Sequence, residues 1–88
     1  MKYTKIYVGS NNITGELELA KILDILSTAM QGYTITQGIG YYNGKSEDTA
    51  IIEIYGNYNT GIIPELKSQL KQNSILVAES ITEVNYND

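Results

Sequence analysis

The 88-residue sequence contains no cysteine, histidine, tryptophan, phenylalanine or arginine. Without cysteine, the chain cannot form a disulfide scaffold, use a thiol nucleophile, or hold an iron–sulfur cluster or thiolate-bound zinc. Without histidine, it lacks the usual general base and the usual transition-metal ligand. Without arginine, it lacks the side chain best suited to bidentate binding of phosphate or carboxylate. These absences lead us to expect a protein that is not an enzyme and that uses no metal ion or cofactor.

Charge and long apolar runs are also scarce. Six lysines and ten acidic residues give a formal net charge of −4. Proteins that bind nucleic acids usually carry a basic face, so we expect no nucleic-acid partner. No run of about 18 apolar residues could span a membrane, and the first residues alternate as a strand does instead of forming the apolar core of a signal peptide. We therefore expect a cytoplasmic protein with no membrane partner. The hydrophobic fraction of 42% is sufficient for one core, so residues 1–88 are predicted to form a single α+β domain.

Hydrophobic periodicity divides the chain into six elements. Strands show alternation of apolar and polar residues, whereas helices show apolar residues three and four positions apart. The predicted strands are residues 3–8, 33–42, 49–55 and 75–84, and the predicted helices are residues 17–30 and 63–73. Asn43-Gly44 predicts a hairpin turn, in a loop that residues 45–48 lengthen.

The first predicted helix has an apolar face and a charged face. Thr14 is a suitable N-cap, Glu18 and Lys21 are spaced to form an ion pair, and Ile25 is expected on the outer side. The predicted buried face consists of Leu19, Ile22, Leu23, Leu26 and Met30.

The order β-α-β-β-α-β resembles the ferredoxin-like fold over nearly the whole chain, as a matter of pattern and without a signature motif. Short connections and right-handed crossovers then imply a four-stranded antiparallel sheet with both helices on one face. This fold supports many unrelated functions, so the function has to be argued from individual residues.

Two loops rich in Gly and Asn, residues 9–15 and 56–61, follow the first and third strands and end in Thr-Gly. Either both need turn and capping residues, or both direct backbone N–H groups at small ligands. The topology places the first of these loops beside the hairpin and the second at the opposite end of the sheet. The candidate ligand-binding residues are Ser10, Asn11, Asn12, Asn43 and Lys45 at one end and Asn57, Tyr58 and Asn59 at the other.

The sheet face away from the helices is predicted to be rich in tyrosine. Such an apolar area is large for a small protein, and a partner that covers it would stabilise a marginal domain. We expect a homo-oligomer, a dimer or tetramer, although a solvated tyrosine-rich sheet is the alternative. The candidate interface residues are Tyr3, Tyr7, Tyr42, Ile51 and Tyr55.

Glu53 is the one carboxylate predicted in the middle of a strand. Lys5, Tyr7 and Tyr55 could lie near it, forming an acid–lysine–tyrosine cluster of the kind used in acid–base catalysis. The alternative is a solvated or paired strand glutamate.

Three functions are compatible with these features. In size and style the chain resembles short phage-encoded counter-defence proteins, which implies a small non-enzymatic oligomer that sequesters a nucleotide-type signal in the host cytoplasm. The alternative is a protein–protein inhibitor or regulatory module that acts on a host enzyme through the tyrosine-rich face. The third is an enzyme, since small ferredoxin-like dimers include cofactor-free oxygenases and isomerases, and loss of activity in Glu53→Gln would test it.

Overall fold

The computed structural model describes residues 1–30 and 32–81. Its elements follow the predicted order β-α-β-β-α-β, and residues 82–84 of the last predicted strand lie outside the described residues. The elements are β1 (Lys2–Val8), α1 (Leu19–Ala29), β2 (Thr34–Tyr42), β3 (Lys45–Tyr55), α2 (Ile62–Gln69) and β4 (Leu76–Ile81).

The four strands form one sheet in the order β2-β3-β1-β4. β3 and β4 flank β1, and β2 pairs with β3, all in antiparallel fashion. Lys5 in the middle of β1 lies between Glu53 of β3 and Ala78 of β4. This is the predicted ferredoxin-like arrangement.

The core lies between one face of this sheet and the two helices. Alternation along β1 buries Thr4, Ile6 and Val8 and leaves the intervening side chains half-buried on the other face. The buried apolar residues are Ile6, Val8, Ile22, Ile25, Leu26, Ala50, Ile52, Ile54, Ile62, Leu66 and Leu70. Burial of each large side chain contributes about 1.5–3 kcal/mol. Because strand and helix residues share this one core, both helices lie on the same face of the sheet, as predicted.

The start and the buried face of α1 differ from the prediction. The helix begins at Leu19, after Glu18 as N-cap, and the Thr14 hydroxyl instead accepts a hydrogen bond of 3.3 Å from the Glu16 N–H. Leu23 is 37% exposed, whereas Ile25 is 4% exposed. Apolar residues occur on most sides of this helix, so the sequence periodicity could not select the side that packs on the sheet.

The remaining boundaries shift by a few residues, and one ion pair is confirmed. Lys21 Nζ lies 3.5 Å from Glu18 Oε2. α2 occupies residues 62–69 and is shorter than predicted, ending before the left-handed backbone at Lys71. No helix among residues 1–30 and 32–81 has the length and apolar character needed to cross a membrane.

The β2–β3 hairpin is tighter than predicted. Asn43 and Gly44 have φ values of 51° and 78°, which are typical of a two-residue hairpin turn. β3 therefore begins at Lys45, and the prediction that residues 45–48 lengthen the loop is wrong. β1 pairs with β3 only as far as Val8 opposite Ala50. The hairpin therefore continues beyond the sheet as a two-stranded arm.

Candidate ligand cleft

A cleft of about 750 Å³ opens at the end of the sheet where β2 begins and β3 ends. Its size falls within the range of small-molecule sites. Its walls come from the end of α1, the start of β2, the end of β3 and the loop before α2. The lining residues are Ala29, Met30, Gly32, Tyr33, Thr34, Glu53, Ile54, Tyr55, Asn57, Tyr58 and Asn59.

The loop over residues 57–59 is held in place by backbone geometry. Gly56 has φ 97°, a conformation that glycine adopts without steric cost, and its N–H donates a hydrogen bond of 2.7 Å to the Lys2 carbonyl. Asn59 Oδ1 accepts a hydrogen bond of 2.9 Å from the Gly61 N–H. The chain thus turns sharply after β3 and directs Asn57 and Tyr58 along the cleft.

A polar cluster lies around Glu53 at the wall of the cleft. The Tyr3 hydroxyl donates a hydrogen bond of 3.0 Å to Glu53 Oε2, and the Tyr3 ring stacks on Tyr55 with centroids 4.8 Å apart. Desolvation, and then the hydrogen bond to Glu53, raise the pKa of Tyr3. The hydrogen bond with Tyr3 in turn raises the pKa of Lys5, whose Nζ lies 5.7 Å from the Tyr3 ring centroid. At neutral pH the cluster therefore presents the protonated Tyr3 hydroxyl and the Lys5 ammonium group beside Glu53, one of whose oxygens accepts the hydrogen bond from Tyr3.

The sequence predicted most of this cluster but missed Tyr3 as a member. Tyr3 is directly opposite Tyr55, and Glu53 is directly opposite Lys5, so Tyr3 and Glu53 are diagonal neighbours across the β1–β3 pair. Only the strand register gives this relationship, and the sequence does not specify the register between distant strands. Tyr7, which was expected near Glu53, is opposite Ile51 and is therefore the diagonal neighbour of Glu53 on the other side of Lys5.

Tyr58 is held on the helix side of the cleft. Lys2 Nζ lies 5.6 Å from the Tyr58 ring centroid and 3.2 Å from Glu79 Oε1 on β4. Burial, and then the negative charge of Glu79, raise the pKa of Tyr58. The ring is therefore a neutral aromatic surface at physiological pH, fixed by a cation on one side.

The candidate ligand-binding residues fall into two groups. Asn57, Tyr58 and Asn59 line the cleft. The other five lie at the opposite end of the sheet, around the hairpin and the first Gly-rich loop. They are Ser10, Asn11, Asn12, Asn43 and Lys45.

The side chains of two residues in that second group form hydrogen bonds within the chain. The Ser10 hydroxyl donates a hydrogen bond of 2.9 Å to the Asp48 carbonyl. Asn11 Oδ1 accepts hydrogen bonds of 2.8 and 3.1 Å from the N–H groups of Ile13 and Thr14. Both side chains are buried. At this end of the sheet, Asn11 therefore serves the turn, and ligand binding by this group stays a prediction.

Four of the five candidate interface residues share the sheet face away from the helices. Tyr3, Tyr7 and Ile51 are half-buried there, and Tyr55 is 46% exposed. Tyr42 pairs with Lys45 in the hairpin arm. Coverage of this face by another copy stays a prediction. Within the described part of the chain, no three His, Cys, Asp or Glu side chains are grouped to hold a metal ion.

Comparisons with known proteins give one similar structure. No family model and no curated protein matches the sequence. The chain resembles a phage S-adenosylmethionine lyase in complex with S-methyl-5′-thioadenosine, with a TM-score of 0.52 and 18% sequence identity, over 90% of this chain and 79% of the other. At this identity the resemblance shows a shared fold.

This resemblance contradicts the expectation that the protein is not an enzyme, because the similar chain is named as a lyase. The expectation relied on the absence of histidine, cysteine and arginine. Those absences remove only part of catalytic chemistry, since glutamate, lysine and tyrosine remain. In this structure Glu53 lines the cleft, and Tyr3 and Lys5 on the neighbouring strand lie beside it.

Proposed function

We propose that the protein binds S-adenosylmethionine in the cleft and cleaves it, releasing S-methyl-5′-thioadenosine. The observation that carries the proposal is the lining of the cleft, which combines aromatic faces, one carboxylate and side-chain amides. The fold shared with a lyase that holds S-methyl-5′-thioadenosine supports the substrate class. The residues concerned are Tyr33, Tyr55, Tyr58, Glu53, Asn57 and Asn59.

Each part of this substrate has a matching group in the cleft. An adenine ring stacks on tyrosine, a contact worth about 1–3 kcal/mol per base. The amides of Asn57 and Asn59 suit the ribose hydroxyls and the adenine edge. The α-ammonium group of the amino-acid part suits the Glu53 carboxylate. The net charge of −4 favours the approach of a cationic substrate.

The proposed reaction breaks the bond between the sulfonium sulfur and the γ-carbon of the methionine part. Its electron pair goes to sulfur, which leaves as a neutral thioether and needs no proton. The carboxylate of the same amino-acid part attacks the γ-carbon and closes a five-membered lactone. Because the carboxylate and the γ-carbon belong to the same bound molecule, their proximity accelerates the attack. This route needs neither a histidine base nor a metal ion.

The role of the chain in this route is to fold and desolvate the substrate. Glu53 holds the ammonium group, whose charge does not change during the reaction, and so places the substrate's carboxylate near the γ-carbon. Opposite charges on carboxylate and sulfonium are neutralised as the bond forms, so the transition state is less polar than the substrate. Displacement of water by the apolar lining residues Ala29, Met30 and Ile54 therefore favours the transition state.

The test is to incubate the purified protein with S-adenosylmethionine and to identify the products by mass spectrometry. We expect S-methyl-5′-thioadenosine and a lactone. Glu53→Gln should lower kcat/KM by about tenfold or more, because an amide cannot pair with the ammonium group. Glu65→Gln, on the exposed surface of α2, is the matched control and should retain full activity.

Other products or no products would contradict the proposal in distinguishable ways. An unsaturated amino acid would show that a proton is removed instead of a ring closed. Binding of S-methyl-5′-thioadenosine in calorimetry without turnover would overturn the catalytic step and retain the binding site. Neither binding nor turnover would overturn both.

We also propose that this activity is the basis of the predicted counter-defence role, in the cytoplasm of an infected host. Turnover would deplete a methyl donor with far less protein than capture requires. Expression in a bacterial cell should lower its S-adenosylmethionine concentration, whereas expression of Glu53→Gln should not. An unchanged concentration with active purified protein would contradict the proposed role and leave the reaction standing.

A further inference from the structure

Among the described residues, no strand pairs with the outer edge of β2. β2 covers nine residues, Thr34–Tyr42, and pairs with β3 on one side only; within residues 1–30 and 32–81 no other strand pairs with it. Edge strands in soluble proteins are usually protected by a charged residue, a proline, a bulge or shortness. β2 contains no charged residue and no proline, and its pairing with β3 is continuous from Thr34 to Tyr42.

The other edge of the sheet is different. β4 carries Glu79, which forms an ion pair with Lys2. A charged residue on an edge strand is one of the usual protections against strand addition. The contrast between the two edges therefore singles out β2.

In the far half of β2, β3 is the only neighbouring strand among the described residues. This half of β2 belongs to the arm that extends beyond β1, and a two-stranded ribbon alone is marginally stable in water. Ile39 and Tyr41 on one side of this arm are 79% and 75% exposed. An occupant of the edge would need to cover these two side chains with direct or diagonal cross-strand neighbours.

We propose that the β2 edge pairs in antiparallel fashion with β2 of a second copy of this chain, around a two-fold axis at Gly38. Gly38 is the central residue of Thr34–Tyr42, so this register pairs all nine residues. It places Tyr41 opposite Ile35 of the second copy, and Ile39 opposite Gln37. Aromatic and β-branched residues form favourable cross-strand pairs, and the two exposed side chains are covered by the same strand that exposes them.

This pairing joins two sheets into one of eight strands. It uses an edge, and is separate from the tyrosine-rich face that the sequence suggested as an interface. It can be tested separately from the proposed lyase activity, because Thr36, Gly38 and Ile39, the β2 residues substituted in the tests below, do not line the cleft.

The first test is sedimentation equilibrium on the full chain. We expect a dimer, and we expect Ile39→Lys to raise its dissociation constant by about tenfold or more, because in this register the two copies of residue 39 are diagonal neighbours and two lysines there would repel each other. Leu76→Lys on β4, also an exposed apolar position at 65% exposure, is the matched control and should leave the dimer unchanged. A monomer, an open-ended aggregate, or a dimer sensitive to Leu76→Lys alone would overturn the proposal.

The second test uses disulfide formation, which is clean because the chain has no cysteine. Gly38→Cys should form a disulfide-linked dimer under mild oxidation, and the added Cβ would be 3.6 Å from Ile51 Cδ1, an ordinary contact. Thr36→Cys is the control, because the proposed register separates position 36 of one copy from position 36 of the other by about 13 Å, too far for a disulfide. Efficient cross-linking of Thr36→Cys but not Gly38→Cys would overturn the register at Gly38.

Discussion

The Tyr3 hydroxyl donates a hydrogen bond of 3.0 Å to Glu53 Oε2, across two strands that are 50 residues apart in sequence. This hydrogen bond holds Glu53, the one carboxylate among the described residues that line the cleft. The stack of Tyr3 on Tyr55 fixes the position of the hydroxyl that donates it. Tyr3→Phe should retain the stack and lose the hydrogen bond. If the proposed lyase activity is correct, kcat/KM for S-adenosylmethionine should fall by up to about tenfold, the effect of a lost hydrogen bond to a charged group at a partly solvated site.

Tyr7→Phe is the matched control for that change. Tyr7 is on the same strand and face and is also a diagonal neighbour of Glu53, but it is Tyr3 whose hydroxyl is bonded to Glu53, so loss of the Tyr7 hydroxyl should not alter the kinetics. Equal effects of the two substitutions would show that the hydrogen bond to Glu53 has no special role.

The Thr4 hydroxyl gives a prediction about stability. Thr4 is fully buried, and Thr4 Oγ1 has no hydrogen-bond partner among the described residues. Thr4→Val replaces this hydroxyl with a methyl group of similar shape and should raise the free energy of unfolding by about 1–2 kcal/mol. Thr49→Val should lower it by about 1 kcal/mol, because Thr49 Oγ1 donates to the Glu47 carbonyl. The measurement is urea unfolding of both variants. A Thr4→Val variant less stable than Thr49→Val would contradict the roles given to the two hydroxyls.

The packed face of α1 can be tested with two neighbouring aliphatic residues. Ile25→Ala should lower the free energy of unfolding by about 2–4 kcal/mol, because Ile25 is buried in the core. Leu23→Ala should cost about 1 kcal/mol or less, since Leu23 is largely at the surface. A larger loss for Leu23→Ala than for Ile25→Ala in urea unfolding would mean that the helix packs through the face predicted from the sequence.

A substitution in the hairpin turn should strain the backbone without disturbing side-chain packing. A Cβ added at Gly44 meets no atom within 4 Å, but the residue has φ 78°. Gly44→Ala should therefore lower the free energy of unfolding by about 1 kcal/mol through strain alone. Gly32→Ala is the control, because Gly32 also has open space and no positive φ. Thermal unfolding should show the control unchanged or slightly stabilised.

Alkaline pH should destabilise the protein through Tyr58. Burial, and then Glu79, raise its folded-state pKa above the ordinary value of 10.0. Above about pH 10, unfolded chains lose this proton while the folded state retains it, so the free energy of unfolding falls as pH rises through the folded pKa. Between about pH 9 and pH 11, Tyr58→Phe should show a smaller fall than the unchanged protein. Tyr41→Phe, at a position that is 75% exposed, should follow the unchanged protein in urea unfolding at each pH.

Local sequence patterns were sufficient to predict the order of the strands and helices. Alternation over Tyr3–Val8, the Asn43-Gly44 turn and the apolar spacing before Met30 each depend on neighbours a few residues away, and each element is present in the structure. Because short connections and crossover handedness limit the ways of joining six such elements, the antiparallel sheet and the position of both helices also followed from the sequence.

Contacts between distant segments decided the rest. The side of α1 that is buried, with Ile25 inside and Leu23 at the surface, depends on how the helix packs on the sheet. The partnership of Tyr3 and Glu53 depends on the β1–β3 register, which no local pattern encodes. The cleft combines the ends of three elements with one loop; from the sequence, only Asn57, Tyr58 and Asn59 were expected to bind a ligand there. A site of this kind is defined by where chain ends meet in space, and therefore only the tertiary structure could define it.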